Sequence, residues 1–150
     1  MGYRYGVWLA IKSPEILQHI STYNEEVHYP HVTIMCNMKR SDARKLRNEL
    51  NKQYNIMVMD EYVIFNNKYS SKDKLLASGC FVNVEDWIEI QKIAKKYCGS
   101  PPSKPHITLA YRQTEEELPI VIDLKKEIIM GEIVATNIKS DNPQKWEIIK

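Results

Sequence analysis

The chain is short of cysteine, and its cysteines are poorly spaced for cross-linking or metal binding. Cys36, Cys80 and Cys98 are odd in number and form no C-x-x-C pair. A disulfide framework and a structural zinc site are both poor readings of that pattern, and a reducing compartment is the better one. Long apolar runs are missing too. No stretch approaches the roughly 20 residues that a membrane-spanning helix needs. The run from Tyr5 to Ile11 is too short for a signal peptide and has no small-residue cleavage site. Gly6 stands where a myristoylation signal after Gly2 requires Ser or Thr. The expectation is a cytoplasmic protein with no membrane partner.

Strong charge of one sign is also absent. Twenty-one Lys and Arg face 19 Asp and Glu, for a net charge of +2 and a pI of about 8.3. That is too weak for coating long nucleic acid by charge alone, and it suits a small anionic ligand met by a few local cations. There is no low-complexity segment and no linker. At 150 residues, 43% hydrophobic and 27% charged, the chain reads as one ordinary globular domain. Lysine outnumbers arginine 16 to 5, and Ile and Asn are abundant, which points to an AT-rich genome, viral or low-GC.

Periodicity and punctuation give the elements. Tyr3 to Ile11 reads as a strand. Ser13-Pro14-Glu15 opens a helix, with Ser13 as N-cap and Pro14 at the first helical position, and Ile16, Leu17 and Ile20 as its apolar face. Tyr29-Pro30 interrupts it, and His31 to Met38 is a second strand. Ser41 is placed to cap a helix from about 42 to 54, with Leu46 and Leu50 on one face. Strands follow at Ile56–Phe65 and Leu75–Val84. Asn83 is placed to cap a third helix carrying Trp87, Ile90, Ala94 and Tyr97 on one stripe, which Gly99 stops. A stiff loop, Ser100-Pro101-Pro102-Ser103-Lys104-Pro105, delivers a strand from His106 to Tyr111, and further strands are expected at Leu118–Leu124, Glu127–Ile138 and Trp146–Ile149. Too many strands follow one another for a doubly wound parallel sheet, so the expected class is α+β.

One short repeat carries chemistry. Pro30-His31-Val32-Thr33-Ile34 matches Pro105-His106-Ile107-Thr108-Leu109. Four His and five Thr in this chain give about 0.13 chance His-x-Thr pairs, and two are present, both preceded by Pro and interleaved with aliphatic residues. Residues two apart on a strand share a face. His31 and Thr33 therefore project together while Val32 and Ile34 pack behind them, and His106 and Thr108 repeat the arrangement. Two histidines on one phosphate supply a general base and a general acid. Each threonine hydroxyl can donate to a non-bridging phosphate oxygen. This chemistry calls for no metal and no cofactor. Asp60, Glu61, Asp86 and Glu89 look like solvated faces rather than a metal-binding cluster.

Blander readings hold for most other candidates. A single His-x-Thr is usually structural; duplication reverses that weighting. His19 reads as helix surface and His28 as a loop histidine. Tyr3, Tyr5 and Trp8 are more often core than a base-stacking platform, although Trp8, Tyr29 and Tyr111 remain candidates to stack on a base. Arg112 falls on the His106 face by alternation. Lys39, Arg40, Arg44, Lys45 and Arg47 read as a solvated helix face that can also draw an anion inward.

At His31-Val32-Thr33-Ile34 and His106-Ile107-Thr108-Leu109 the chain resembles the 2H phosphoesterase superfamily, the LigT-like phosphodiesterases, whose two His-x-[Thr/Ser]-hydrophobic motifs are both intact here. The resemblance implies a compact bilobal α+β fold, its lobes related by a pseudo-twofold axis about a central cleft. It implies metal-independent cleavage of 2',5'-linked or cyclic ribonucleotide phosphates, with His31 and His106 catalytic and Thr33 and Thr108 holding the substrate. Viral members degrade 2',5'-oligoadenylate or cyclic dinucleotides and blunt host innate immunity, and this chain looks like the small stand-alone viral group. The implied partner is then a small nucleotide such as 2',3'-cGAMP or 2',5'-oligoadenylate. RNA-end or 2',3'-cyclic nucleotide processing, and non-catalytic nucleotide binding, are the competing readings.

Overall fold

The computed structural model describes residues 4–23, 30–66, 76–102, 104–112, 128–138 and 147–149. Along these the elements are β1 (Tyr5–Ile11), α1 (Pro14–Tyr23), β2 (His31–Met38), α2 (Arg40–Glu49), β3 (Gln53–Asn66), β4 (Leu76–Val84), α3 (Trp87–Ala94), β5 (His106–Arg112), β6 (Ile128–Asn137) and β7 (Glu147–Ile149). The element order follows the sequence reading. The strand expected at Leu118–Leu124 lies outside the described residues.

The start of α1 is as its sequence dictates. Pro14 takes the first helical position, and the Ser13 hydroxyl accepts the Ile16 amide at 3.4 Å. The other two helix starts differ from expectation. α2 begins one residue before Ser41, after an extended Lys39 with no side-chain cap. α3 follows Asp86, held in the left-handed region at φ 59°, rather than a cap at Asn83, which stays in β4. α2 also stops at Glu49 instead of running to 54. The chain turns early, Tyr54 enters β3, and its phenol donates back to the Leu50 carbonyl at 3.2 Å.

The architecture corrects the expected bilobal α+β fold. The strands form a closed six-stranded antiparallel barrel, and the described residues are mostly β, with strand well in excess of helix. Its order is β1-β2-β5-β4-β3-β6, returning from β6 to β1, with β7 on the end of β6. The physical reason is β6. Residues 128–132 of β6 pair with β3, and residues 131–137 pair with β1 from Ile11 to Tyr5. One strand thus joins the two ends of the sheet, and two separate lobes with a cleft between them cannot form. Composition and alternation reveal strands but not which of them have two partners.

The ring has two different faces. Val7, Leu9, Ile11, Val32, Ile34, Ile56, Val82, Ile107, Leu109 and Ile133 form one buried cluster with Ile16 of α1, Leu46 of α2 and Ile90 and Ala94 of α3. α2 lies over β1 and β6, α3 over β2, and α1 against β5. The helices pack on this face, so it is the outer one. The alternate residues, among them Trp8, His31, Thr33, His106 and Thr108, line the inside. No described helix is long and apolar enough to cross a membrane.

Candidate active site

Both motif strands are neighbours. β2 and β5 run antiparallel with Val32 opposite Ile107, both fully buried in the outer core. Continuing that register sets His31 opposite Thr108 and Thr33 opposite His106. Each histidine therefore faces the other motif's threonine, and all four side chains project from the inner face. Diagonal neighbours on such a ladder stand about 7–8 Å apart, a separation that a phosphate accepting from both imidazoles can span. His31 and Thr108 are 9% exposed, while His106 and Thr33 are more open.

The loop before His106 is pinned from two sides. Ser100 exchanges backbone hydrogen bonds with Cys36 of β2, at 3.0 and 2.8 Å, and its hydroxyl accepts from the Asn37 side-chain amide at 3.0 Å. The Pro105 carbonyl then accepts the Val82 amide of β4 at 3.1 Å. Asn37 adopts φ 56° to make its contact. The proline-rich loop is thus anchored on each neighbouring strand.

The two imidazoles have different surroundings. Nδ1 of His106 lies 3.1 Å from the Lys104 carbonyl oxygen. A carbonyl only accepts, so Nδ1 carries the proton, and in the neutral ring Nε2 keeps a lone pair. Burial holds the His106 pKa below the ordinary 6.5, opposed in part by that hydrogen bond. His31 instead lies flat on the indole of Trp8, with centroids 3.7 Å apart and planes 12° from parallel. Trp8 pairs with Thr33 across β1 and β2, which puts it on the inner face beside the motif. It is 2% exposed, and its ring packs on a catalytic candidate. A face occupied in this way offers nothing to a base.

Tyr111 and Arg112 lie on β5 opposite Ala77 and Leu76 of β4, with side chains outside the described residues. Tyr29, His28 and the His19 side chain are also outside them. The basic cluster sits on α2, which covers the outer face, and Arg47 donates to the Ile149 carbonyl at 3.2 Å. Asp86 and Glu89 are exposed, in ion pairs with Lys52 and Lys92. A cavity of about 250 Å³ between α2, α3 and the start of β3 is lined by Glu49, Lys52, Tyr54, Asp86 and Glu89 among others, and none of the motif residues reaches it.

Two residues absent from the sequence argument matter here. Gly79 of β4 pairs with Thr108, and a Cβ there would lie 1.9 Å from the Ile107 carbonyl oxygen. Only glycine lets β4 approach the second motif this closely. Phe81 pairs with His106 and carries the Lys104 ammonium 4.1 Å from its ring centroid. Nothing in the local sequence around either residue signals its role, because both depend on cross-strand register. No protein-family model matches the chain, and no curated protein matches it in sequence.

Proposed function

We propose that this chain is a phosphodiesterase that cleaves a ribonucleotide linkage by two-histidine acid–base catalysis, without a metal in any step. The observation that carries the reading is the antiparallel pairing of Val32 with Ile107, whose continued register sets each motif histidine opposite the other motif's threonine. A structural role has no need of two such pairs on one inner face. The resemblance to 2H phosphoesterases rests on the motifs and their juxtaposition alone, since the barrel departs from that family's bilobal architecture.

For a 2',5' linkage the neighbouring 3'-hydroxyl attacks phosphorus. His106 Nε2 takes the hydroxyl proton, the bond to the 5'-oxygen breaks, and His31 gives that oxygen a proton. The products are a 2',3'-cyclic phosphate and a free 5'-hydroxyl. Water then opens the ring with the roles exchanged. The Lys104 carbonyl suits His106 to the base role by fixing the tautomer, and the depressed pKa keeps it neutral. His31, fixed by its stack on the Trp8 indole, is left to serve as the acid. Thr33 and Thr108 donate to the non-bridging oxygens. An internal nucleophile already in place lowers the demand on both groups.

The substrate we propose is a 2',5'-linked nucleotide messenger, either a 2',3'-cGAMP-type cyclic dinucleotide or 2',5'-oligoadenylate, with antagonism of host innate immunity as the consequence. The modest net charge supports a small nucleotide over long RNA. The test is a panel in EDTA of 2',3'-cGAMP, 3',3'-cGAMP, 2',5'-oligoadenylate and a 2',3'-cyclic mononucleotide. Cleavage of a 2',5'-linked member, reduced about 10²-fold or more by His31→Ala and by His106→Ala, is expected. Cleavage of the cyclic mononucleotide alone would move the assignment to RNA-end processing. Binding without turnover, unchanged in both variants, would overturn catalysis.

A further inference from the structure

The inner face continues past the four motif residues on the His106 side. Phe81 stands opposite His106 on β4. Two residues further on the same face is Asn83, paired with Met57 of β3. Met57 in turn has Met130 of β6 as its diagonal neighbour, since Asn55 pairs with Met130 and Met57 with Ile128. Strand spacing and rise put Met57 about 12 Å from His106 along the sheet. The residues that alternate with them on β3 and β4, Ile56, Val58 and Val82, point to the outer core and are at most 3% exposed.

This patch has the composition of a ligand wall. Met57 and Met130 are each 42% exposed, although large apolar side chains on the opposite face of the same strands are buried. Methionine is adaptable and polarizable, suited to a flat ring. Asn83 is exposed among them and brings a donor and an acceptor. Phe81 is half-buried, with the Lys104 ammonium at its ring. Positive charge thus lies at the His106 end and apolar surface beyond it, the sequence in which a nucleotide presents phosphate and then base. On the other side of the histidine pair, Trp8 is covered by His31.

We propose that Phe81, Asn83, Met57 and Met130, with Lys104 at the phosphate end, form the subsite for the nucleoside that bears the attacking hydroxyl. This rests on the phosphodiesterase reading, in which His106 serves that hydroxyl. The nucleoside beside His106 is the one that ends as the 2',3'-cyclic phosphate; the leaving 5'-nucleoside lies on the His31 side. The Asn83 amide meets the edge of the base or the ribose, and the methionines meet its face.

The experiment uses methyl-labelled methionine in the full chain. Adenosine 2'-monophosphate is expected to shift the Met57 and Met130 methyl signals and to leave those of Met35 and Met38, which are buried in the outer core, in place. Inorganic phosphate is expected to shift neither pair. In parallel, Met57→Ala/Met130→Ala is expected to raise KM about tenfold for a 2',5'-linked dinucleotide with kcat kept. The same variant should be unchanged on 2-hydroxypropyl p-nitrophenyl phosphate, which has the internal hydroxyl but no nucleoside. Cleavage of the dinucleotide with wild-type KM in the double variant overturns the subsite and leaves the phosphodiesterase reading standing. Methyl shifts without any cleavage keep the subsite and overturn the enzyme. Absence of both overturns the two together.

Discussion

Trp8 and His31 are stacked ring on ring, centroids 3.7 Å apart, in a pair that is almost wholly enclosed. Trp8 is therefore a positioning residue for His31. Trp8→Phe keeps an aromatic face and is expected to retain most activity. Trp8→Leu removes the stack and is expected to lower kcat about 10–100-fold with KM changed little, because a small misplacement of a reacting group costs that much. Steady-state kinetics of both variants, with circular dichroism to verify folding, checks this. Equal losses in the two would show that bulk rather than the ring face is what His31 needs.

The proposed division of labour between the histidines has its own readout. A substrate whose leaving 5'-oxygen is replaced by sulfur expels a thiolate that needs no proton. His31→Ala is expected to recover most of its lost rate on that substrate, and His106→Ala to recover none. Rescue of His106→Ala instead would exchange the roles.

Burial depresses the His106 pKa in the folded chain. The unfolded chain, titrating at the ordinary 6.5, then binds more protons in the interval below 6.5 and above the folded value. Stability therefore rises with pH through that interval and is lost as pH falls through it. Denaturant titrations at pH 5 and pH 7.5 are expected to show this loss in the wild type and a smaller one in His106→Gln. The acidic limb of kcat/KM is expected below 6.5 for the same reason, since the base must be neutral.

Gly79 sets how closely β4 approaches the second motif. A Cβ 1.9 Å from the Ile107 carbonyl oxygen meets backbone, which cannot rotate away. Gly79→Ala is expected to displace β5, with a loss of several kcal/mol in stability, on the order of the largest single-residue effects. Any folded fraction should have reduced activity. A wild-type melting temperature would show that β5 shifts freely.

Thr136 of β6 and Ser78 of β4 are fully buried, and their hydroxyls have no hydrogen-bond partner among the described residues. A buried hydroxyl in that state carries a desolvation penalty of about 1–3 kcal/mol. Thr136→Val keeps the shape and removes the hydroxyl, so a gain of about 1 kcal/mol in chemical denaturation is expected. A loss would mean that the hydroxyl has a partner in solution, such as an enclosed water.

The site was more legible than the barrel that holds it. The repeat of His-x-Thr with aliphatic neighbours dictates which side chains share a face, and Val32, Ile34, Ile107 and Leu109 are indeed fully buried behind the four polar groups. Ser13-Pro14 marks a helix start because cap chemistry is local. What escaped depends on partners distant in sequence. β6 closes the ring by pairing with both β3 and β1, and alternation within β6 is the same whether it has one partner or two. Phe81 and Gly79 owe their roles to register with β5, and Trp8 to a diagonal contact. Ser41 and Asn83 have the right residue type for caps, but the helices begin elsewhere, where the turn from the preceding strand lets them.

Between β2 and β5 the ladder has a single pair, Val32 with Ile107, whereas β1 and β6 share seven. The barrel is thus stitched most thinly between the two strands that bear its histidines. Local opening follows the fewest hydrogen bonds, so on warming the first rupture separates His31 from His106 while the rest of the ring persists. Heat inactivation should then precede the loss of β-sheet signal, and a ligand bridging both imidazoles would act as the missing rungs.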